Sequence, residues 1–248
     1  MSGGEILVVG LGPGPDAWRT PEAGEALARA DDLVGYKPYL DRCPERTGQV
    51  RHSSDNRVEL DRARMAIDLA RGGRIVAVVS GGDPGVFAMA AAVFEAIDAD
   101  GATDVAVTVM PGVSAMQAAA ARLGAPLGHD FCAISLSDNL KPWALVERRL
   151  TAAADGDFVI ALYNPASKAR QTRIFDAFDL LRRLKSGETP VAFARAVGRP
   201  DETIVTTTLA EADPGVVDMA TCVIVGSSQT RFLARPGDRP WIYTPRSA

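Results

Sequence analysis

The sequence predicts an α/β fold with two domains, and three observations support that prediction. Apolar runs of strand length alternate with helical patterns along the whole chain, which favours strands joined by helices. The run at 75–79 is continuous and rich in β-branched residues, which is typical of a strand covered on both faces. The length of 248 residues suits one to two domains. We expect a first domain over 1–124 and a second over 125–248.

The first domain is predicted to alternate strands and helices. The helix that begins after Thr20 has Thr as its N-cap and Pro21 at its first position, both favoured there. Strands are expected at 6–9, 33–34, 75–79 and 105–109, and helices at 21–31, 58–70, 86–97 and 114–123.

The second domain is predicted to hold a mixed sheet, because two neighbouring strand candidates have no helix between them. The strands of the second domain are expected at 131–134, 158–163, 190–194, 203–207 and 222–225, and its helices at 143–153 and 167–184. The strand at 222–225 is expected to be the last of the chain.

Composition excludes several classes of protein. The chain has 27 Lys and Arg against 31 Asp and Glu, a net charge of −4, which argues against binding to a phosphate backbone. Three dispersed cysteines and two histidines match neither a disulfide framework nor a zinc site. No apolar run approaches the roughly 18 residues of a membrane-spanning helix, and no basic leader precedes one. We therefore expect a cytoplasmic protein that binds neither nucleic acid nor membrane.

Three glycine-rich loops follow strands in the first domain, at 10–16, 80–87 and 110–115. Ligands of α/β sheets gather at the carboxyl ends of strands, so each loop is a binding candidate as well as a plain turn. The first loop lacks the third glycine of a dinucleotide fingerprint, because Pro15 stands there. Asp83 either accepts a hydrogen bond from a ligand or caps the next helix, and Ser114 is a plausible N-cap.

The second domain has similar loops at 163–170, 194–202 and 226–231. Arg170 and Arg173 lie three residues apart on one helical face, so they either clamp carboxylates or face solvent. Arg195 and Arg199 flank Gly198 after a strand, which is a binding loop or a surface turn.

Taken in order, these loops resemble one family, the tetrapyrrole (corrin/porphyrin) methyltransferases that use S-adenosylmethionine (SAM). The resemblance runs from Glu5 to about Arg231 and rests on VGLGPGPD, SGGDPGVF, PGVSA, LYNPASKAR and CVIVG. It implies two α/β domains with the active site in the cleft between them. It also implies a homodimer.

Within the family, SGGDPGVFAMA, LYNPASKAR and VGRPDE look most like the branch that methylates precorrin-3B at C17 in cobalamin biosynthesis. The resemblance therefore implies C-methylation with contraction of the ring to precorrin-4. Cobalt-factor III and other precorrins stay open as substrates. A ligand-binding protein without activity and an NAD-linked oxidoreductase are the rival classes.

The family's motifs place SAM, and its product S-adenosylhomocysteine, against matching positions of this chain. Asn164 stands where relatives often have Met, so only its location is carried over. The implied SAM contacts are Pro13, Gly81, Gly82, Asp83, Val86, Ser114, Ala115, Asn164 and Gly198.

The implied substrate carries acetate and propionate groups, which suit arginine. The candidates for binding it are Arg170, Arg195, Arg199 and Arg231. Transfer from a sulfonium needs no metal, so no metal site is expected. Ring contraction needs an acid or base that the sequence leaves unassigned. The candidates by position are Tyr36, Lys37, His52 and Asp83.

Overall fold

The computed structural model describes residues 3–55, 58–166, 172–237 and 239–247. The chain divides into two compact units, Met1–Ala115 and Met116–Ala248. This division falls earlier than the predicted boundary after residue 124. The last helix predicted for the first domain, at 114–123, belongs mostly to the second unit. An active site between the two domains stays a prediction.

The first unit contains a five-stranded parallel sheet in the order β3-β2-β4-β1-β5. Its strands are β1 (Glu5–Gly10), β2 (Asp32–Tyr36), β3 (Val50–Ser54), β4 (Ile75–Ser80) and β5 (Ala106–Met110). The helices are α1 (Pro21–Arg29), α2 (Lys37–Leu40), α3 (Glu59–Arg71) and α4 (Met89–Asp100), and α5 (Ala115–Leu123) begins at the division.

Both faces of this sheet are covered by apolar side chains. One cluster packs α3 and α4 against Ile6, Val8 and Val76, and another packs α1 against Leu7 and Val9. This two-sided burial explains the continuous apolar runs of β1 and β4. It confirms the predicted buried strands.

The predicted cap of α1 is confirmed, since the Thr20 hydroxyl accepts a hydrogen bond from the Ala23 N–H at 3.1 Å. Two predictions for this unit need correction. The strand β3 was not predicted, because its sequence VRHSS is mostly polar, as suits the edge of a sheet. The helix predicted at 86–97 begins only at Met89, because Phe87 adopts a positive φ of 54° that interrupts a helix.

The second unit contains a mixed five-stranded sheet in the order β10-β9-β11-β8-β7, as predicted. Strand β11 is antiparallel to β8 and β9, and β7 is parallel to β8. The carboxyl ends of β7, β8 and β9 therefore share one edge. The elements are β7 (Phe131–Ser135), α6 (Trp143–Asp155), β8 (Val159–Tyr163), α7 (Arg173–Leu184), β9 (Pro190–Arg195), β10 (Thr203–Thr208) and β11 (Thr221–Val225).

A small third sheet was not predicted, so the expectation that 222–225 is the last strand is wrong. It joins β6 (Gly124–Ala125), β12 (Arg231–Leu233) and β13 (Trp241–Tyr243). Strands of two or three residues are too short to produce an alternating pattern. Among the residues that the structure describes, no helix combines the length and apolar character needed to cross a membrane.

Candidate functional site

The three glycine-rich loops of the first unit meet at the carboxyl ends of β1, β4 and β5. Gly12 and Gly82 pair through two backbone hydrogen bonds, of 3.1 and 3.0 Å, although they lie in different loops. Both residues have positive φ values, 68° and 73°, which glycine adopts without strain. The sequence therefore needs glycine here for the crossing of two loops.

The third loop packs against the first two with no room for side chains. A Cβ on Gly112 would lie 2.4 Å from the carbonyl oxygen of Gly82, and one on Gly10 would lie 2.8 Å from the Gly112 nitrogen. Main chain thus contacts main chain at this edge. Such loops present backbone N–H and C=O groups to a ligand.

Asp83 ties two of these loops together. Its Oδ1 accepts a hydrogen bond from the Gly85 N–H at 2.8 Å, and its Oδ2 accepts one from the Gly112 N–H at 3.0 Å. Both carboxylate oxygens therefore fix the loops. The predicted helix-capping role is not observed, because the N–H of Met89 in α4 instead donates to the Ser80 hydroxyl at 3.2 Å.

Two side chains that support these loops were not singled out from the sequence. The Nη2 atom of Arg42 donates to the carbonyls of Leu11, Gly12 and Gly14, at 3.2, 2.9 and 2.9 Å. The ring of Tyr39 lies against Gly81, where an added Cβ would come within 2.7 Å of it. Neither residue is near its partners in sequence, so no local pattern could identify them.

The other predicted SAM contacts of this unit lie in the same three loops. Pro13 and Ser114 are buried, whereas Val86 and Ala115 are half-buried. Ala115 begins α5, and its nitrogen is 3.9 Å from the position of a Cβ on Gly82.

In the second unit, Asn164 follows the carboxyl end of β8. Its φ is 52°, a left-handed conformation in which Asn is strongly enriched over Met. Its side-chain amide donates to the Ser135 hydroxyl at 2.9 Å, which joins the ends of β8 and β7. Asn thus suits the local backbone at this position.

Gly198 lies in the loop after β9 with a φ of 80°. Its N–H donates to Glu202 Oε2 at 2.6 Å, and Arg122 Nε donates to both oxygens of the same carboxylate at 3.2 and 3.3 Å. Glu202 therefore orients the Gly198 loop, a role that the sequence did not reveal.

The four arginines predicted to bind substrate have different surroundings. Arg195 donates to Asp218 and Asp201 at 2.8 and 2.9 Å, and these hydrogen bonds raise the pKa of its guanidinium. It is thus committed to two carboxylates of the protein. Arg199 is exposed in the Gly198 loop. Arg170 lies outside the described residues.

Arg231 is separated from this group. It follows the carboxyl end of the antiparallel strand β11, where the Gly226 N–H donates to the carbonyl of Pro190, at the start of β9. The structure therefore does not bring Arg231 to the edge that holds Asn164 and Gly198.

The acid and base candidates also have different partners. Lys37 is exposed and forms an ion pair with Asp41 at 2.9 Å, and the Tyr36 ring packs edge-on against Tyr39. His52 Nε2 lies 2.7 Å from Asp32 Oδ1, at the amino end of β2. The hydrogen-bond partner of His52 thus lies at the opposite end of β2 from the glycine loops.

Metal-ligating side chains and thiols are the remaining reactive groups of the described ranges. These ranges contain no group of three or more His, Cys, Asp or Glu that could hold a metal ion. Burial raises the pKa of the thiols of Cys43, Cys132 and Cys222, in the last case to about 12. Thiols of this kind are poor nucleophiles.

The first unit has a parallel sheet with glycine-rich loops at its carboxyl edge, and the second has a mixed sheet with helices, so the protein is of the α/β class. The chain belongs to the Tetrapyrrole (Corrin/Porphyrin) Methylases, whose family model matches residues 5–213. The predicted family and fold class are confirmed. The family is SAM-dependent.

Individual relatives agree with this assignment. A precorrin-3B C(17)-methyltransferase of Sinorhizobium sp. is 58% identical over 98% of this chain and 96% of its own length. A probable cobalt-factor III C(17)-methyltransferase of Salmonella typhimurium is 46% identical over 91% of this chain and 93% of its own length.

Solved structures show the same fold. The crystal structure of the methyltransferase CobJ has a TM-score of 0.93 at 51% identity and covers 98% of this chain and 100% of its own. A uroporphyrin-III C-methyltransferase from Thermus thermophilus, complexed with S-adenyl homocysteine, has a TM-score of 0.68 at 24% identity. That match covers 90% of this chain and 92% of the Thermus thermophilus chain, and it shows only that the two proteins share a fold.

Proposed function

We propose that this protein transfers a methyl group from SAM to C17 of precorrin-3B, with ring contraction to precorrin-4, in cobalamin biosynthesis. The observation that carries the proposal is the 58% identity, over nearly the full length of both chains, to a precorrin-3B C(17)-methyltransferase. The backbone-built loops at the carboxyl edge of the first sheet support it, because a ligand can approach main chain closely there.

The glycine loops of the first unit offer main chain rather than side chains to SAM. A Cβ on Gly82 would lie in ordinary van der Waals contact, 3.9 Å from the Ala115 nitrogen and the Val113 carbonyl oxygen, and the φ of 73° at Gly82 suits glycine. We assign SAM contacts here to Pro13, Gly81, Gly82, Val86, Ser114 and Ala115. Asp83 would act on SAM chiefly through the loops that its carboxylate fixes.

In the second unit, the proposed SAM contacts are Asn164 and Gly198, which follow the carboxyl ends of β8 and β9 on one sheet edge, with β11 between the two strands. Glu202 and Ser135 would orient them through the hydrogen bonds described above. For the acidic substrate we propose Arg199, which is exposed in the Gly198 loop. Arg170 stays a prediction.

The bound SAM supplies an activated methyl group on a sulfonium, so the protein's main task is to align the two reactants and exclude water. Contraction of the ring requires an acid or base. Tyr36 is the last residue of β2, and Lys37, which follows it, is paired with Asp41. We therefore propose Tyr36 ahead of Lys37, His52 and Asp83.

Anaerobic incubation with precorrin-3B and isotope-labelled SAM, followed by mass spectrometry of the product, tests the function. We expect one labelled methyl group per macrocycle and the ring-contracted skeleton. Bound SAM without any transfer to precorrin-3B would contradict the proposal. Omission of SAM is the control.

Cobalt-factor III is the second candidate substrate, because a relative named for that activity is 46% identical over nearly its whole length. The same assay with cobalt-factor III, run in parallel at equal concentration, compares kcat/KM for the two. We expect precorrin-3B to be preferred. A higher value for cobalt-factor III would reassign the substrate within the same reaction.

We further propose a cytoplasmic homodimer. Family resemblance supports the dimer, and the biosynthetic relatives support the location. Light scattering of the purified protein should give twice the mass of the 26.2 kDa chain, and the chain mass itself would contradict the dimer.

A further inference from the structure

A small cavity lies beside the carboxyl end of β3, outside the glycine loops. Its volume is about 150 Å³. Buried Val34 and Arg62 line its inner part, whereas exposed Ser53, Asp61 and Met65 border it toward solvent. We call this cavity the Arg62 pocket, and its remaining lining residues are His52, Ser54 and Val58.

Arg62 is buried in an unusual way for a charged residue. Its exposed fraction is 3%, and its guanidinium donates to the Ser54 hydroxyl (2.9 Å), the Asp55 carbonyl (2.7 Å) and the Met89 sulfur (3.1 Å). Within the described part of the chain, none of its hydrogen-bond partners is a carboxylate. A thioether is also a weak acceptor.

A buried cation with only neutral acceptors lacks the counter-charge that offsets desolvation. Burial accordingly lowers the pKa of Arg62, more than Glu59, Tyr39 and Asp55 together raise it. Buried arginines normally have a carboxylate or another anion as partner. The cavity that Arg62 lines provides space for such a group.

The Arg62 pocket lies at the same end of the sheet as the glycine loops. Ser54 is the last residue of β3, and all five strands are parallel. A chain of contacts also joins them, because Arg62 contacts Met89 and the Met89 N–H donates to Ser80, where the Asp83 loop begins. A substrate group in the pocket would therefore lie at the functional edge of this unit.

We propose that the Arg62 pocket binds a carboxylate of the tetrapyrrole substrate, one of its acetate or propionate side chains. The inference rests on the proposed function for the identity of the substrate. The charge and the burial of Arg62 indicate that the ligand is an anion. The volume of the pocket suits one acetate or propionate group rather than the whole macrocycle. Arg62 is thus a substrate-specificity residue.

Kinetics of Arg62→Met provide the first test, with Arg64→Met as the matched control. Arg64 lies on the same helix but is exposed and paired with Asp100 at 3.0 Å. Loss of a charge-assisted hydrogen bond predicts a KM for the tetrapyrrole roughly 10- to 100-fold higher in Arg62→Met, with an unchanged Kd for SAM. An unchanged KM in a folded variant would overturn the proposal.

A second pair of variants covers the case in which Arg62→Met does not fold. Met65 is 44% exposed and lines the pocket, so Met65→Glu places a competing carboxylate near Arg62, and Met65→Gln differs from it only in charge. We expect the KM of Met65→Glu to exceed that of Met65→Gln about tenfold. Equal KM values would count against a carboxylate site.

Binding of sodium propionate to the wild-type protein separates this proposal from the proposed function. In an NMR titration, millimolar propionate should shift the Arg62 Nε–H and Ser54 amide resonances, and Arg62→Met or Met65→Glu should abolish the response. Such shifts would support carboxylate binding in the Arg62 pocket even if precorrin-3B were not methylated. Shifts with phosphate but not propionate, together with an unchanged KM, would show a site for small anions only and overturn the carboxylate assignment.

Discussion

The two units of the molecule build their strand-end loops by different means. In the first unit, Gly12 pairs with Gly82 and Gly112 packs on Gly10, so main chain directly contacts main chain. In the second unit, side chains make the close contacts: Asn164 donates to Ser135, and Glu202 accepts from Arg122 and from the N–H of Gly198 in its own loop. The first arrangement depends on glycines that let main chains touch, and the second on hydrogen bonds from side chains.

The largest expected effect comes from placing a side chain in the contact between main chains. In Gly112→Ala the new Cβ would lie 2.4 Å from the Gly82 carbonyl, so the loops must separate, at a cost of about 3 kcal/mol. Urea unfolding measures this loss. Gly24→Ala is the control, because its Cβ meets nothing within 4 Å in a helix, and it should stabilise by about 0.5–1 kcal/mol. Similar stabilities for the two variants would contradict the close packing.

The next effect tests Asp83, whose carboxylate joins two loops of the first unit. Asp83→Ala leaves the N–H groups of Gly85 and Gly112 without their acceptor, and it should destabilise by about 1–3 kcal/mol. Asp83→Asn keeps one acceptor oxygen and should lose less. Calorimetric titration should show weaker SAM binding in the same order. If Asp83→Asn binds SAM no better than Asp83→Ala, the loop-fixing role fails.

A pH-dependent effect is expected at the other end of the first sheet. Burial acts to raise the pKa of Asp32, but hydrogen bonds from His52 and Arg74 outweigh it and leave that pKa below its usual value. Because the pKa is lower in the folded state, the Asp32 carboxylate stabilises the folded protein at pH values above its unfolded pKa of about 3.9. That stabilisation is lost as the pH falls through the folded pKa.

Asp32→Asn should therefore lose about 1–2 kcal/mol near pH 7, and its difference from the wild type should shrink below about pH 4. Urea unfolding at several pH values measures this difference. SAM affinity near pH 7 should not change, since this cluster lies away from the loops. If the difference in the free energy of unfolding stayed constant with pH, the lowered pKa of Asp32 would be contradicted.

The smallest effect is expected at an exposed ion pair beside the first unit's loops. Lys37 and Asp41 are separated by one helical turn and lie mostly in solvent. Lys37→Ala should change the free energy of unfolding by less than about 0.5 kcal/mol. Because its amine is held by Asp41, we also expect ring contraction to persist. Loss of precorrin-4 in a stable Lys37→Ala protein would restore Lys37 as the acid or base.

Much of the fold could be predicted from local patterns. Buried strands such as β1 and β4 produce continuous apolar runs, and the Thr20-Pro21 pair marks the start of α1. The polar edge strand β3 and the short β12 and β13 lack such patterns. The candidate site shows the same contrast. The glycine loops were recognisable from the sequence, whereas the roles of Arg42 and Glu202 were not.

The sequence by itself determined the order of strands and helices, the glycine loops at strand ends and the family to which the chain belongs. These features depend on short stretches, because periodicity, caps and positive-φ glycines act within a few residues. Only the tertiary structure decided that Asp83 joins two loops, that Arg195 is held by two acids and that Arg231 begins β12 of the small third sheet. Those outcomes depend on which strand ends meet in space, and no local pattern encodes that.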